Sequence, residues 1–285
     1  MPLTLNFRRL APYPAPVRIF TFMGMLLVVW LPFALPVYGF VTDPNWQSWL
    51  SMPVLYAEFL GLAGVWGRWV YGETGTLRRY GLWFNSANGK DLVLGLGIGY
   101  GSVLGVFLWE GLMGWITWRS PQIPWFSLIW ETLLVSVLIG FAEETLFRGW
   151  LLSELERDYS SPIALWGNAI IFALAHFIKP WDVILQLWWT FPSLVMLGLA
   201  LVWSKWRSRS AHGYPHGGGL GLPIGLHGGL VGGLYLINVG SLVHYTGKVP
   251  PWMTGIDNNP LAGGIGMIVL TFIALTMYRL AYSKT

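Results

Sequence analysis

The segment that decides the fold is residues 140–152, GFAEETLFRGWLL, in which two adjacent glutamates and an arginine interrupt an apolar run. A charged side chain at bilayer depth costs roughly 2.5 to 3.5 kcal/mol, so an acid there indicates a functional site with a partner. On a helix, Glu144 and Arg148 lie four residues apart on one face and can form an ion pair. Glu143 lies about 100° further around the helix, which leaves its carboxylate free for another contact. A buried ion-pair cluster that only fixes helix packing would explain the same residues.

Two further apolar segments each carry one histidine. In IIFALAHFIKP, residues 170–180, His176 lies on a predicted helix at mid-membrane depth, with Phe172 four residues earlier on the same face. In GLGLPIGLHGGLVGGLYLINVG, residues 219–240, His227 lies among glycines. Each histidine alone is explained as a core residue. Two of the chain's five histidines beside a pair of carboxylates indicate a polar site shared by three segments.

The composition is that of a membrane protein with several spans. Of the 285 residues, 54% are hydrophobic and 11% charged, whereas a soluble domain has about 25% charged residues. The absence of cysteine excludes disulfides, thiolate metal sites and a cysteine nucleophile. The basic residues fall in short interhelical loops, which argues against nucleic-acid binding. The apolar run after the N-terminal arginines predicts a retained first span, not a removed signal peptide.

Eight apolar runs are long enough to cross about 30 Å of hydrocarbon. We therefore predict an all-α, polytopic membrane protein, a single transmembrane domain over residues 1–285. The predicted spans are 19–41, 50–71, 92–118, 125–146, 162–178, 183–203, 219–243 and 261–282.

The basic residues predict the orientation of these spans. With both termini in the cytoplasm, 14 of the 17 lysines and arginines lie on the cytoplasmic side, and Arg119, Lys179 and Lys248 lie outside. This asymmetry is the one expected for cytoplasmic loops. We therefore expect cytoplasmic termini and a bacterial-type inner membrane location.

Glutamate and two histidines can hydrolyse an amide without a covalent intermediate. A carboxylate deprotonates water, one histidine orients that water, and a second donates to the developing oxyanion. The same three side chains could also bind zinc with one position open for water. The sequence does not separate these alternatives, although it contains no HExxH motif.

EETLFR, residues 143–148, matches the EExxxR motif of the CAAX protease and bacteriocin-processing (Abi) family of intramembrane proteases, and FALAH, residues 172–176, matches its FxxxH motif. His227 resembles the start of the family's third motif, HxxxN or HxxxD. The resemblance covers residues 124–243, the expected family core. It implies a helical bundle around an intramembrane cavity that opens to the cytoplasm, acting on a membrane-associated protein or peptide, of which a CAAX protein is one option.

The resemblance also implies roles for the six residues. Glu143 is then the base, His176 its partner and His227 part of the oxyanion site, while Glu144, Arg148 and Phe172 support the site. Family members are often described as metal-dependent, but we favour a metal-free mechanism.

The third motif departs from the family pattern at one position. Val231 stands where the family has a polar residue, and Asn238 lies roughly 16 Å further along a regular helix. The surrounding glycines indicate either a break in this helix or close helix packing. This departure keeps open a non-catalytic scaffold or bacteriocin-immunity-type protein. A proton-coupled transporter that uses the same acids and histidines as a relay is a further alternative.

Overall fold

A computed structural model describes residues 6–212, 218–255 and 259–283. These residues are almost entirely helical, and seven helices are long and apolar enough to cross a membrane, so the protein is an all-α integral membrane protein. The seven spanning helices contain α1 (Ala15–Phe40), α2 (Pro44–Tyr71), α4 (Ser86–Leu112), α5 (Trp125–Glu144), α9 (Phe191–His212), α10 (Gly221–Val239) and α12 (Gly264–Tyr282), and α7 (Ser161–Ala175) is a shorter apolar helix. The short elements are α3 (Thr76–Arg79), α6 (Leu152–Asp158), α8 (Trp181–Leu187), α11 (Pro251–Thr254), strands β1 (Ile116–Trp118) and β2 (Val243–Tyr245), a π-helix (Thr145–Leu151), and 3-10 turns at Phe7–Leu10, Trp188–Thr190 and Pro260–Ala262.

The predicted count of eight spans is approximate because α7 is short. Its 15 residues extend about 22 Å at 1.5 Å per residue, which is less than the hydrocarbon thickness. The helix ends at Ala175, earlier than the predicted span 162–178, and Pro180 begins the next segment four residues beyond His176. His176 is therefore the C-terminal cap of α7 and not a residue in the middle of a helix.

A small sheet replaces the ends of two predicted spans. The helix predicted for 92–118 ends at Leu112, and Gly114 turns the chain with φ +67°. Strand β1 then pairs antiparallel with β2, and Ile116 lies opposite Tyr245. The run of apolar residues predicts a continuous helix. The helix ends instead because Gly114 turns the chain and because strand β2, distant in sequence, pairs with the residues that follow.

The predicted span 125–146 is instead part of a longer helical rod that continues to Asp158. Buried charges stabilise its extension. Arg18 of α1 forms ion pairs with Glu154 at 3.0 Å and with Asp158 at 3.1 Å. Asp158 also accepts a hydrogen bond from the backbone N–H of Ala15 at 2.6 Å. The start of α1 is thereby fixed beside the end of α6.

Helix α10 lies at the centre of the bundle and packs against α4, α5 and α9. Glycines allow this close approach, since a Cβ on Gly225 would lie 3.0 Å from the Cα of Gly95 on α4. On another side of α10, a Cβ on Gly228 would collide with the backbone of Ser136 on α5. The glycines therefore serve helix packing. Because α10 is unbroken, Asn238 stays exposed near its far end, away from His227.

Candidate active site

The charged motif lies where α5 widens into the π-helix. A π-turn is often found at functional sites and leaves carbonyl groups that need other donors. Asn168 of α7 donates to the carbonyl of Phe147 at 2.7 Å, and Lys205 of α9 donates to the carbonyl of Arg148 at 2.6 Å. Neither residue was predicted from the sequence: Asn168 is a polar side chain in an apolar segment, whereas Lys205 lies among other basic residues just beyond the predicted span 183–203. Three helices together thus fix the backbone that carries the charges.

The predicted ion pair between Glu144 and Arg148 is present, with 2.9 Å between Oε1 and Nη1, and both side chains are 0% exposed. Glu144 has a second partner that the sequence did not predict. His227 Nδ1 lies 2.7 Å from the same oxygen. An ionised carboxylate only accepts hydrogen bonds, so Nδ1 of His227 carries the proton. This contact joins α10 directly to the charged helix.

Glu143 points toward both histidines. Its Oε2 lies 3.9 Å from Nε2 of His176 and 3.9 Å from Nε2 of His227. It accepts no hydrogen bond from any of the described residues. The Glu143 side chain is 33% exposed whereas that of Glu144 is buried. The two neighbouring glutamates therefore occupy different environments, one accessible and one enclosed.

The candidate active-site cluster consists of Glu143, Glu144, Arg148, Phe172, His176 and His227. Within it, Phe172 packs against Arg148 and both histidines. The guanidinium carbon of Arg148 lies 4.2 Å from the Phe172 ring centroid, within the range of a cation–π contact. The ring also lies 4.5 Å from that of His176 and 5.8 Å from that of His227. Its carbonyl is 2.8 Å from His176 Nδ1. A carbonyl only accepts, so Nδ1 is the donor and the Nε2 lone pair faces Glu143 when the ring is neutral.

A cavity of about 390 Å³ adjoins both histidines. Its wall is mainly apolar and includes Val231 and Leu234 of α10 and Leu261 of the following loop. It extends from His227 toward the C-terminal end of α10, opposite the end where Ala15 and Asp158 meet. If the termini are cytoplasmic, this is the outer half of the membrane. The orientation predicted from basic residues and the cytoplasmic opening implied by the resemblance therefore disagree.

Ser193 is a further polar residue of this cavity that sequence analysis did not identify. Its side chain is 3% exposed, and its Oγ has no hydrogen-bond partner among the described residues. Most buried hydroxyls of such helices bond to a backbone carbonyl, as Ser153 does to Gly149 at 2.6 Å. Ser193 thus offers a hydroxyl without a partner among the described residues, in the wall of the cavity that His227 and Val231 also line. Its place in an apolar stretch after Pro192 was the only signal in the sequence.

The three candidate catalytic residues do not fit a tetrahedral zinc site as they are arranged. Ligands about 2.0 to 2.2 Å from zinc at tetrahedral angles lie roughly 3.3 to 3.6 Å from one another. The two nitrogen–oxygen separations are 3.9 Å. Over residues 6–212, 218–255 and 259–283, no group of three His, Asp or Glu side chains has a metal-binding arrangement. The separations instead suit one water-sized molecule between hydrogen-bonding groups.

Comparison with known proteins identifies the same region. Residues 124–232 match the family model described as type II CAAX prenyl endopeptidase, Rce1-like. No curated protein matches the chain, and no solved structure matches it. The matched residues include all six members of the cluster and end one residue after Val231. The segment 124–232, with its EExxxR and FxxxH motifs, is therefore similar to the Rce1-like type II CAAX prenyl endopeptidases, a family of membrane proteases.

Proposed function

We propose that the protein is an intramembrane endopeptidase in which Glu143 and His176 activate water and His227 stabilises the oxyanion. The observation that carries the proposal is the position of Glu143 Oε2, 3.9 Å from Nε2 of each of the two histidines that line the mainly apolar cavity. A water molecule about 2.8 Å from two such groups fits this separation. The match of residues 124–232 to the model of a protease family supports the same reaction.

The geometry suggests how the water is oriented. Glu143 and neutral His176 both accept hydrogen bonds, so a water between them donates both protons and keeps a lone pair for the substrate carbonyl. As its oxygen attacks the carbonyl carbon, one proton passes to Glu143. Glu143 then gives this proton to the amide nitrogen, the carbon–nitrogen bond breaks, and a carboxylic acid and an amine result.

His227 has to be protonated to donate to the oxyanion from Nε2, because its Nδ1 proton is directed to Glu144. The carboxylate of Glu144 stabilises this imidazolium and fixes the ring orientation. Glu144 is in turn held by Arg148. In this proposal Glu144, Arg148 and Phe172 are positioning residues.

The substrate is proposed to be a membrane-associated protein or peptide. The wall of the cavity is mainly apolar, so an apolar peptide segment is the natural occupant, and nothing in the cavity requires a prenyl group. We place the protein in a bacterial-type inner membrane with cytoplasmic termini, because the spans predicted from the sequence then leave 14 of its 17 lysines and arginines on the cytoplasmic side.

Comparative membrane proteomics of cells that express the wild type or the Glu143→Gln variant tests the activity. We expect at least one membrane-associated protein to stay unprocessed in the variant, with a new terminus that only the wild type generates. Equal expression of the two forms is the control. Identical sets of termini would contradict the proposal.

Val231 supports one alternative, a scaffold that keeps the fold without catalysis, since a family oxyanion donor is missing there. In that case Glu143→Gln and wild type would act alike in every assay, whereas substitutions that disturb packing would still abolish the biological role.

A further inference from the structure

A second cavity, of about 650 Å³, lies at the C-terminal end of α2, away from the candidate active site. Gly61 and Gly64 form its floor on the surface of α2, and nothing lies within 4 Å of a Cβ built on either. Leu60, Val65 and Trp69 line it on the same helix. This part of the cavity is an apolar groove on the outer surface of the bundle.

The other part of this cavity is positively charged. Arg68 and Arg78 line it, and both side chains are exposed. Neither forms an ion pair or side-chain hydrogen bond with the residues that the structure describes. The acid of the cavity, Glu73, already binds Arg79 at 2.6 Å and Arg157 at 2.9 Å. Two positive charges are therefore left uncompensated at the end of an apolar groove.

We propose that this cavity binds an anionic phospholipid, with its phosphate between Arg68 and Arg78 and an acyl chain along Gly61 and Gly64. Guanidinium groups bind phosphate oxygens through paired hydrogen bonds. The apolar groove distinguishes a lipid from a free phosphate, which would need only the charged end.

The position of the cavity fits this ligand. It lies beside the α2–α3 turn, at the end of the bundle where most basic residues lie, the side on which anionic headgroups attract arginine. Trp69, whose ring stacks on Phe7 at 5.1 Å, marks the interface between headgroups and acyl chains.

Native mass spectrometry of the purified full-length protein with phosphatidylglycerol or phosphatidylcholine tests the proposal. We expect the wild type to retain phosphatidylglycerol preferentially. The Arg68→Gln/Arg78→Gln variant should bind it more weakly, by roughly fivefold for each arginine removed. Arg9→Gln/Arg279→Gln removes two other exposed arginines and should leave retention unchanged.

A groove-filling variant tests the acyl-chain part without altering charge. Gly61→Phe should lower phosphatidylglycerol retention, whereas Gly97→Phe, at an exposed glycine of α4 with similar free space, should not. Three results would overturn the proposal. The two double-arginine variants could lose phosphatidylglycerol retention equally, the wild type could retain the two lipids equally, or millimolar inorganic phosphate could displace phosphatidylglycerol completely.

Discussion

Nδ1 of His227 lies 2.7 Å from Oε1 of Glu144, and this hydrogen bond connects the glycine-rich helix α10 to the charged motif of α5. The adjacent glutamate, Glu143, instead lies 3.9 Å from Nε2 of both histidines. One glutamate therefore holds the site together while its neighbour remains accessible. This difference leads to separate expectations for the two residues.

Glu144→Gln should destabilise the protein. It leaves buried Arg148 without its counter-charge, which is expected to cost roughly 3 to 5 kcal/mol, and it weakens the contact with His227. The measurement is thermal unfolding in detergent. Glu143→Gln is the matched control, because the same change at a side chain that is 33% exposed should leave the unfolding temperature nearly unchanged. Equal losses of stability in the two variants would contradict this division of roles.

Gly225→Ala should also lower stability, because its new methyl group would meet the backbone of α4. Gly97→Ala is the control on α4, where nothing lies within 4 Å of the added Cβ. Replacing a helical glycine by alanine without a clash is favourable by up to about 1 kcal/mol, so this variant should be neutral or slightly more stable. A neutral Gly225→Ala variant would show that α10 does not pack as closely as described.

The local features of the site could be predicted from sequence, but its long-range contacts could not. The four-residue spacing of Glu144 and Arg148 specifies their pairing on any helix. The contact between His227 and Glu144 depends on how α10 packs against α5, and no local sequence pattern determines that packing. The association of Glu143 with His176 was predicted from the family motifs.

The lengths of the elements were similarly hard to predict. Hydropathy located the seven long helices, yet it extended α4 through the residues of strand β1, because an apolar strand and an apolar helix end have the same composition. It also ended the span at 146, since the charges of α6 resemble a loop until their buried partner, Arg18, is known.

Val231→Asn tests how the oxyanion is stabilised. If His227 is the sole donor, an amide one turn further along α10 should raise turnover, because loss of one such donor elsewhere costs about 2.7 to 4 kcal/mol. If the free hydroxyl of Ser193 already fills this role, Val231→Asn should be neutral or harmful and Ser193→Ala should lower turnover. Turnover of an identified substrate is the measurement, with Ser153→Ala as the control for loss of a hydroxyl. If neither Val231→Asn nor Ser193→Ala changed turnover, both explanations would be wrong, namely that His227 is the sole donor and that Ser193 is a further donor.

The orientation can be tested with single cysteines, since the chain has none. We expect Lys248→Cys to react with a membrane-impermeant maleimide in intact cells. Arg78→Cys, at the opposite end of the bundle, should react only after permeabilisation. This result would place the cavity of the candidate active site in the outer half of the membrane. The reverse labelling pattern would place the termini outside and open the cavity to the cytoplasm, as the family resemblance implies.

The role of Glu143 as the base is the central claim, and its most direct test is cleavage of an identified substrate by purified protein in proteoliposomes. General-base catalysis contributes roughly 10²- to 10⁴-fold, so Glu143→Gln should lower the cleavage rate by at least about a hundredfold while its unfolding temperature matches that of the wild type. A folded Glu143→Gln protein that cleaves at a rate close to the wild-type rate would contradict the proposed mechanism.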